Sequence, residues 1–203
     1  ILFYSLDHLK DLIVIDPRWL IDVLSGIITT KHRYIKQGIL EHRDLVHIWR
    51  TDEFPVSLHG NLLQILQQFE ITYPLEKYDM TNEEEWLNGK SLVPSALPAR
   101  PNIRVSQIFP RFETINQYAR NYEVSFVPPG FLNYLIIRVM QQLIDVNYWR
   151  NGCAGFSPKG TGEKLLVEYI PSQSVLRIIA RGVNSMKLFL IGVNIIEAFI
   201  ENW

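Results

Sequence analysis

The stretch FVPPGFLNYLIIRVMQQL, residues 126–143, limits what this chain can fold into more than any other. Pro128 and Pro129 fix two φ angles and remove two N–H donors, and Gly130 completes a sharp corner. The spacing predicts a strand over YEVSFV (122–127), the corner, and then a long helix to about Val146. A membrane span needs about 20 mostly apolar residues. This run carries Asn133, Arg138, Gln141, Gln142 and Asp145, so it does not qualify. The other apolar run, Met186–Trp203, carries Lys187, Asn194, Glu197 and Glu201 and fails in the same way. An anion-gripping turn is disfavoured too, because the prolines delete N–H donors where an anion would want them. What remains is a rigid corner that sets how a mostly buried helix meets its sheet. The helix would gather Arg138, Gln141, Gln142 and Asp145 in an arc of about 100°. Its other face is apolar, which calls for cover from a second side, and the C-terminal helix can supply it.

Around that corner the second half reads as strands NYWRNGCAGFS and EKLLVEYI about the turn PKGTG, a strand VLRIIARG, and a helix from about Asn184 to Trp203. That is an antiparallel sheet with helices on one face. The first half reads differently. ILFYSL and DLIVID are short strands. Asp16 caps a helix with Pro17 at its first position, and Trp19, Leu20, Val23, Leu24, Ile27 and Ile28 line one face. A second helix is expected over Ile39–Trp49. A third starts near Ser57, with Leu58, Leu62, Leu63, Ile65, Leu66 and Phe69 inward. Asn82 and Glu85 have capping-box spacing, and Gly89 is the stop. The expected class is therefore α+β: a winged-helix-like subdomain over residues 1–98 and an antiparallel-sheet-plus-helices subdomain over 103–203.

Winged helices often bind DNA, which needs Lys and Arg to meet phosphates. Residues 51–76, which hold the would-be recognition helix, contain neither, so no nucleic-acid partner is expected. Net charge is −1, split as ten Lys/Arg against fourteen Asp/Glu in residues 1–100 and ten against seven in 101–203. The split favours two subdomains over a binding patch. A lone cysteine, Cys153, excludes an internal disulfide framework and fits a reducing, cytoplasmic setting. The chain opens mid-phrase without Met, so it reads as a domain cut from a longer protein.

Catalytic constellations fail one by one. In GFSPKGTGEK (155–164) the glycines have phosphate-loop spacing, but Thr161 stands where the lysine belongs and a strand follows, so the stretch reads as a hairpin turn. All five histidines, His8, His32, His42, His47 and His59, lie in the first half, and His42 and His47 sit about 140° apart on a helix. That is not metal-ligand spacing, and Cys153 has no near histidine. The carboxylates of NEEE (82–85) suit a helix start. The aromatics of the second half alternate with aliphatics, which favours packing over base stacking. No catalytic, cofactor or metal residue is expected.

The ordered blocks VIDPRWLIDVLSGII, LLQILQQFEITYPL, SLVPSALP, YEVSFVPPGFLNYLIIRVMQQL, YWRNGCAGFSP and LRIIARG resemble the COR domain, the segment C-terminal to the Roc GTPase in Roco proteins. The resemblance covers nearly the whole chain. It implies that residues 1–98 pack on an adjacent Roc GTPase in cis, with Lys90, Ser91 and Leu92 as the GTPase-facing candidates. Where the family can carry an aromatic just ahead of LVPS, this chain has Lys90-Ser91. Residues 103–203 would form a homodimer. The corner and packing signature there is Pro128, Pro129, Gly130, Phe131, Arg138, Trp149 and Arg150. The implied role is non-catalytic coupling of nucleotide state to dimerisation and to an effector, often a Ser/Thr kinase. GTP, and ATP with Mg where a kinase is present, would be bound by flanking domains.

Overall fold

The computed structural model describes residues 16–28, 33–110, 116–128, 130–160 and 162–201. ILFYSL and most of DLIVID, with Pro129 and Thr161, lie outside them. The chain divides into two compact units, Ile1–Leu97 and Pro98–Trp203. The architecture is α+β, with helices and two antiparallel sheets.

In the first unit, α1 (Pro17–Ile28) starts where Asp16 Oδ1 accepts the Arg18 N–H at 2.8 Å. It buries Leu20, Val23 and Ile27, while Ile28 is exposed. The segment expected as a second helix is different. Gln37 and Gly38, both with positive φ, close a two-residue hairpin between β1 (Ile35–Lys36) and β2 (Ile39–Glu41). Only Leu45–Ile48 is α-helical there, as α2. The missed signal was the Gln-Gly pair between β-branched residues, which demands a turn before any helix can start. Helix α3 (His59–Gln68) buries Leu62, Leu63, Ile65 and Leu66. Phe69, expected inward, lies past the helix end and is 43% exposed. Then come β3 (Tyr73–Pro74), α4 (Glu83–Leu87) and β4 (Lys90–Leu92). The sheet order is β1-β2-β4-β3, which leaves β4 flanked by strands on both sides.

In the second unit, α5 (Ile103–Ile108) precedes β5 (Gln117–Glu123). The strand expected at 122–127 is thus mostly upstream of that position. Helix α6 (Phe131–Met140) is shorter than expected, since i→i+3 bonds from Gln142 to Val139 and from Leu143 to Met140 tighten its end. Ile144–Trp149 is β6, whose β-branched and aromatic residues suit a strand, and a bulge at Asp145 (φ 50°) opens it. NYWRNGCAGFS is therefore a hairpin of β6 and β7 (Gly152–Phe156), not one strand. Strands β8 (Lys164–Ile170) and β9 (Val175–Arg181) continue the meander, and the sheet order is β5-β9-β8-β7-β6. Helix α7 (Met186–Glu201) closes the fold, with Gly192 set close against Ile178 and Leu165.

Strand alternation then sorts the two faces. Leu165, Val167, Ile178 and Ala180 share the face that α7 covers. Leu166 and Ala154 point the other way and meet Trp149 and Val105 of α5, so helices sit on both faces rather than one. The cause is the short α5, whose Val105 and Ile108 are buried. Helix α6 packs on α7 through the Phe199 ring, which lies 4.6 Å from Phe131 and 4.9 Å from Tyr134. No helix among the described residues is long and apolar enough to cross a membrane.

Candidate functional site

Strand β4 is built around a buried polar chain. The main-chain oxygen of Trp86 can only accept, so His42 donates its Nδ1–H there (2.5 Å). Its Nε2 is thereby the acceptor and takes the Ser91 hydroxyl proton at 2.8 Å. Beside them, Gln67 Nε2 donates to the Tyr78 hydroxyl at 2.5 Å. His42 and Ser91 are fully buried. Desolvation lowers the His42 pKa from its ordinary 6.5, against an opposing bond from the Trp86 carbonyl. Burial likewise raises Tyr78, and its polar neighbours Ser91 and Gln67 only partly offset this. Tyr78 meets the His42 ring edge-on with centroids 5.1 Å apart.

Local sequence explains how these groups arrive. Asn82 accepts the Glu85 N–H and starts α4, which delivers the Trp86 carbonyl four residues later. Gly89 was expected as the helix stop. A Cβ there would come within 3.0 Å of both His42 and Tyr78, so close approach is what demands glycine. Sequence reading weighed His42 only as a metal ligand. Its partners are 44 and 49 residues away, beyond the reach of any spacing rule.

The three candidates on β4 part company. Leu92 and Ser91 are fully buried, whereas Lys90 is exposed and reaches Glu41 Oε1 at 3.2 Å on the neighbouring β2. Arg43 also binds Glu41, and the two cations, Arg43 foremost, hold that carboxyl below its ordinary pKa. The surface of β4 is thus one basic side chain on a strand whose neighbours are locked.

In the second unit Gly130 takes φ 85°, a left-handed turn unfavourable to residues with a Cβ, and serves as the α6 N-cap. The Phe131 N–H reaches the Pro128 carbonyl at 3.1 Å. Phe131 is buried, while Arg138 is exposed and lies over the Tyr134 ring at 4.9 Å. Trp149 is buried in the cluster under α5. Arg150 is exposed, and its N–H meets the Pro98 carbonyl at 2.8 Å. The signature residues are brought together only in part: Phe131 lies toward α7, and Trp149 lies on the opposite sheet face.

Other candidate chemistry disperses. Among the described residues no three of His, Cys, Asp and Glu gather to hold a metal. Burial pushes the Cys153 thiol up to about 12, so it stays protonated. His47 stacks on Tyr34, and His59 binds the Phe54 carbonyl. The glycine-rich stretch at 155–164 forms the link from β7 to β8, where the Ser157 N–H meets the Glu163 carbonyl.

Residues 1–97 match the family model described as C-terminal of Roc, COR-A domain, and residues 115–203 match C-terminal of Roc, COR-B domain. Among curated proteins, the probable serine/threonine-protein kinase pats1 of Dictyostelium discoideum is 41% identical over 147 residues, which is 71% of this chain and 4% of that protein. The probable serine/threonine-protein kinase roco11 of the same organism is 37% identical over 164 residues, 75% of this chain and 10% of its own. Its cyclic GMP-binding protein C is 34% identical over 139 residues, 64% and 5%. The chain spans a tenth or less of these relatives.

Proposed function

This chain belongs to the C-terminal-of-Roc (COR) family, and from that premise we propose that it is the non-catalytic coupling and dimerisation element of a longer Roco protein. The observation that carries the reading is the presence of COR-A and COR-B in order along one chain. In this reading residues 1–98 receive the nucleotide state of an adjacent Roc GTPase, and residues 103–203 hold a second copy. Strand β4 supports the first role. Lys90 offers a charged contact, while Ser91 and Leu92 hold the strand rigid beneath it. The turn at Pro128 and Gly130 supports the second by fixing how α6 starts. The similarity to pats1 and roco11 supports a kinase as the effector, and GTP, ATP and Mg belong to the flanking domains of such a protein. Its setting is the cytoplasm.

Sedimentation velocity of the 203-residue chain tests the dimer: a concentration-dependent shift to twice the monomer mass is expected, and a monomer at every concentration rejects it. Titration with GTP tests the division of labour. No binding is expected, and nanomolar binding by this chain alone would overturn the reading. Lys90→Glu is expected to weaken capture of a Roc domain supplied in trans, and unchanged capture removes β4 from the contact.

A further inference from the structure

A groove in the second unit is lined by none of the residues assigned to these roles. Its walls are the end of α6 at Gln142, the β7–β8 turn at Pro158 and Lys159, and the first half of α7 at Lys187, Leu188 and Ile191. Its volume is about 450 Å³, within the range of about 300–1,000 Å³ typical of binding clefts. The floor is mostly apolar and the rim is basic. Lys159 and Lys187 are exposed, and neither is held by a carboxylate among the described residues. Glu163 lines the groove as well, but it is 4% exposed and has partners of its own, so the exposed charges at the rim are the two lysines.

The apolar surface does not stop at the groove. Met186 is 45% exposed and Leu190 48%, and at 100° per residue Leu190 sits about 60° round the helix from Lys187. Together they make an open shoulder beside the cleft. A small molecule in the groove would leave that shoulder wet. A peptide segment would cover both, seating one large side chain between the lysines and laying the next along α7. The positive end of the α7 dipole adds to the field at the same place.

We propose that this groove docks a linear peptide of a separate protein, one that carries a large apolar anchor flanked by carboxylates. Charge complementarity selects the occupant: two exposed lysines around an apolar floor disfavour a basic segment and favour an acidic one. The apolar anchor supplies the affinity, and the carboxylates supply orientation and association rate.

The test is selection of random linear peptides displayed on phage against the 203-residue chain, followed by fluorescence anisotropy with the labelled winners. Winners are expected to place Leu, Met or Phe between Asp or Glu residues. In the Lys159→Glu/Lys187→Glu variant their affinity should drop about tenfold or more. Both positions are exposed, so the fold should survive; if it does not, Lys159→Gln/Lys187→Gln serves in its place. Methyl shifts at Leu188 and Ile191 should report the same site. No enrichment, winners that are neutral or basic, or affinity indifferent to both variants would overturn the proposal. So would loss of peptide binding as the protein self-associates, because the groove would then belong to the second copy.

Discussion

The two units hold their central strands by opposite means. Beneath β4 runs a polar relay in which Ser91 donates to His42 and His42 to the Trp86 carbonyl, with the Gln67–Tyr78 bond beside it. Between β8, β9 and α7 the contacts are apolar, with Leu165 and Ile178 pressed against α7 at Gly192. A polar relay is geometrically exacting and responds to protons, because a buried group that loses its partner bears the desolvation cost alone. Apolar packing is indifferent to pH but sensitive to volume. The first unit should therefore be fragile to chemistry, and the second to cavities.

The largest effect expected is at the apolar end. Ile178→Ala removes a fully buried side chain from the sheet–α7 contact and should destabilise the second unit by about 2–5 kcal/mol. Amide exchange of β8 and β9, followed unit by unit, measures it; a loss below about 1 kcal/mol would mean α7 collapses into the gap. Next comes Ser91→Ala, which changes volume little but leaves the His42 Nε2 unpartnered. It should cost the first unit about 1–3 kcal/mol, read from exchange of the β4 amides. A neutral result would show that water replaces the serine and that the relay is not exacting.

Smaller, and opposite in character between the units, is the response to pH. His42 titrates at its ordinary 6.5 when unfolded and lower when folded. Above 6.5 both states are neutral and the stabilisation is complete. As pH falls from 6.5 toward the folded value, the unfolded chain binds the proton first and the first unit loses stability. Residues 98–203 contain no histidine, so no imidazole gives the second unit such a slope in that window. His42→Gln cannot titrate and should flatten the slope of the first unit. A slope that persists in this variant would assign it to another group.

These differences also decide what could be read in advance. The apolar unit was legible in its inventory: β8, β9 and α7 all lie where period and composition put them, because each is a long local pattern. Its errors came where local signals competed. The helical pattern ran through Gln141–Leu143 to about Val146, and sheet pairing with β7 claimed its last residues, from Ile144, for β6. The polar unit was less legible. Its strands are two or three residues long, too short for any period to register. The Asn82 cap was visible because its partner is three residues away. The relay was invisible because Gln67, Tyr78 and Ser91 approach His42 only once the chain has folded. Lys90 could be chosen as a surface candidate from sequence, but not the burial of Ser91 and Leu92 beside it, which depends on β2 and β3 arriving from either side.

The smallest effect probes whether polarity itself, rather than burial, makes the first unit exacting. The second unit has a polar contact on its sheet–helix face as well: Arg120 on β5 reaches Glu197 on α7 at 2.7 Å, with the guanidinium 4.8 Å over the Tyr122 ring. Its side chains are 49% and 38% exposed, so water already solvates both ions and salt screens them. Glu197→Gln should then cost no more than about 0.5–1 kcal/mol, fading at high salt. That is less than Ser91→Ala, although a charge is lost in one case and a neutral hydroxyl in the other. If Glu197→Gln instead cost as much as Ser91→Ala at high salt, burial would not be what separates the two units. The comparison would then have to be redrawn around which strands their polar groups tie down.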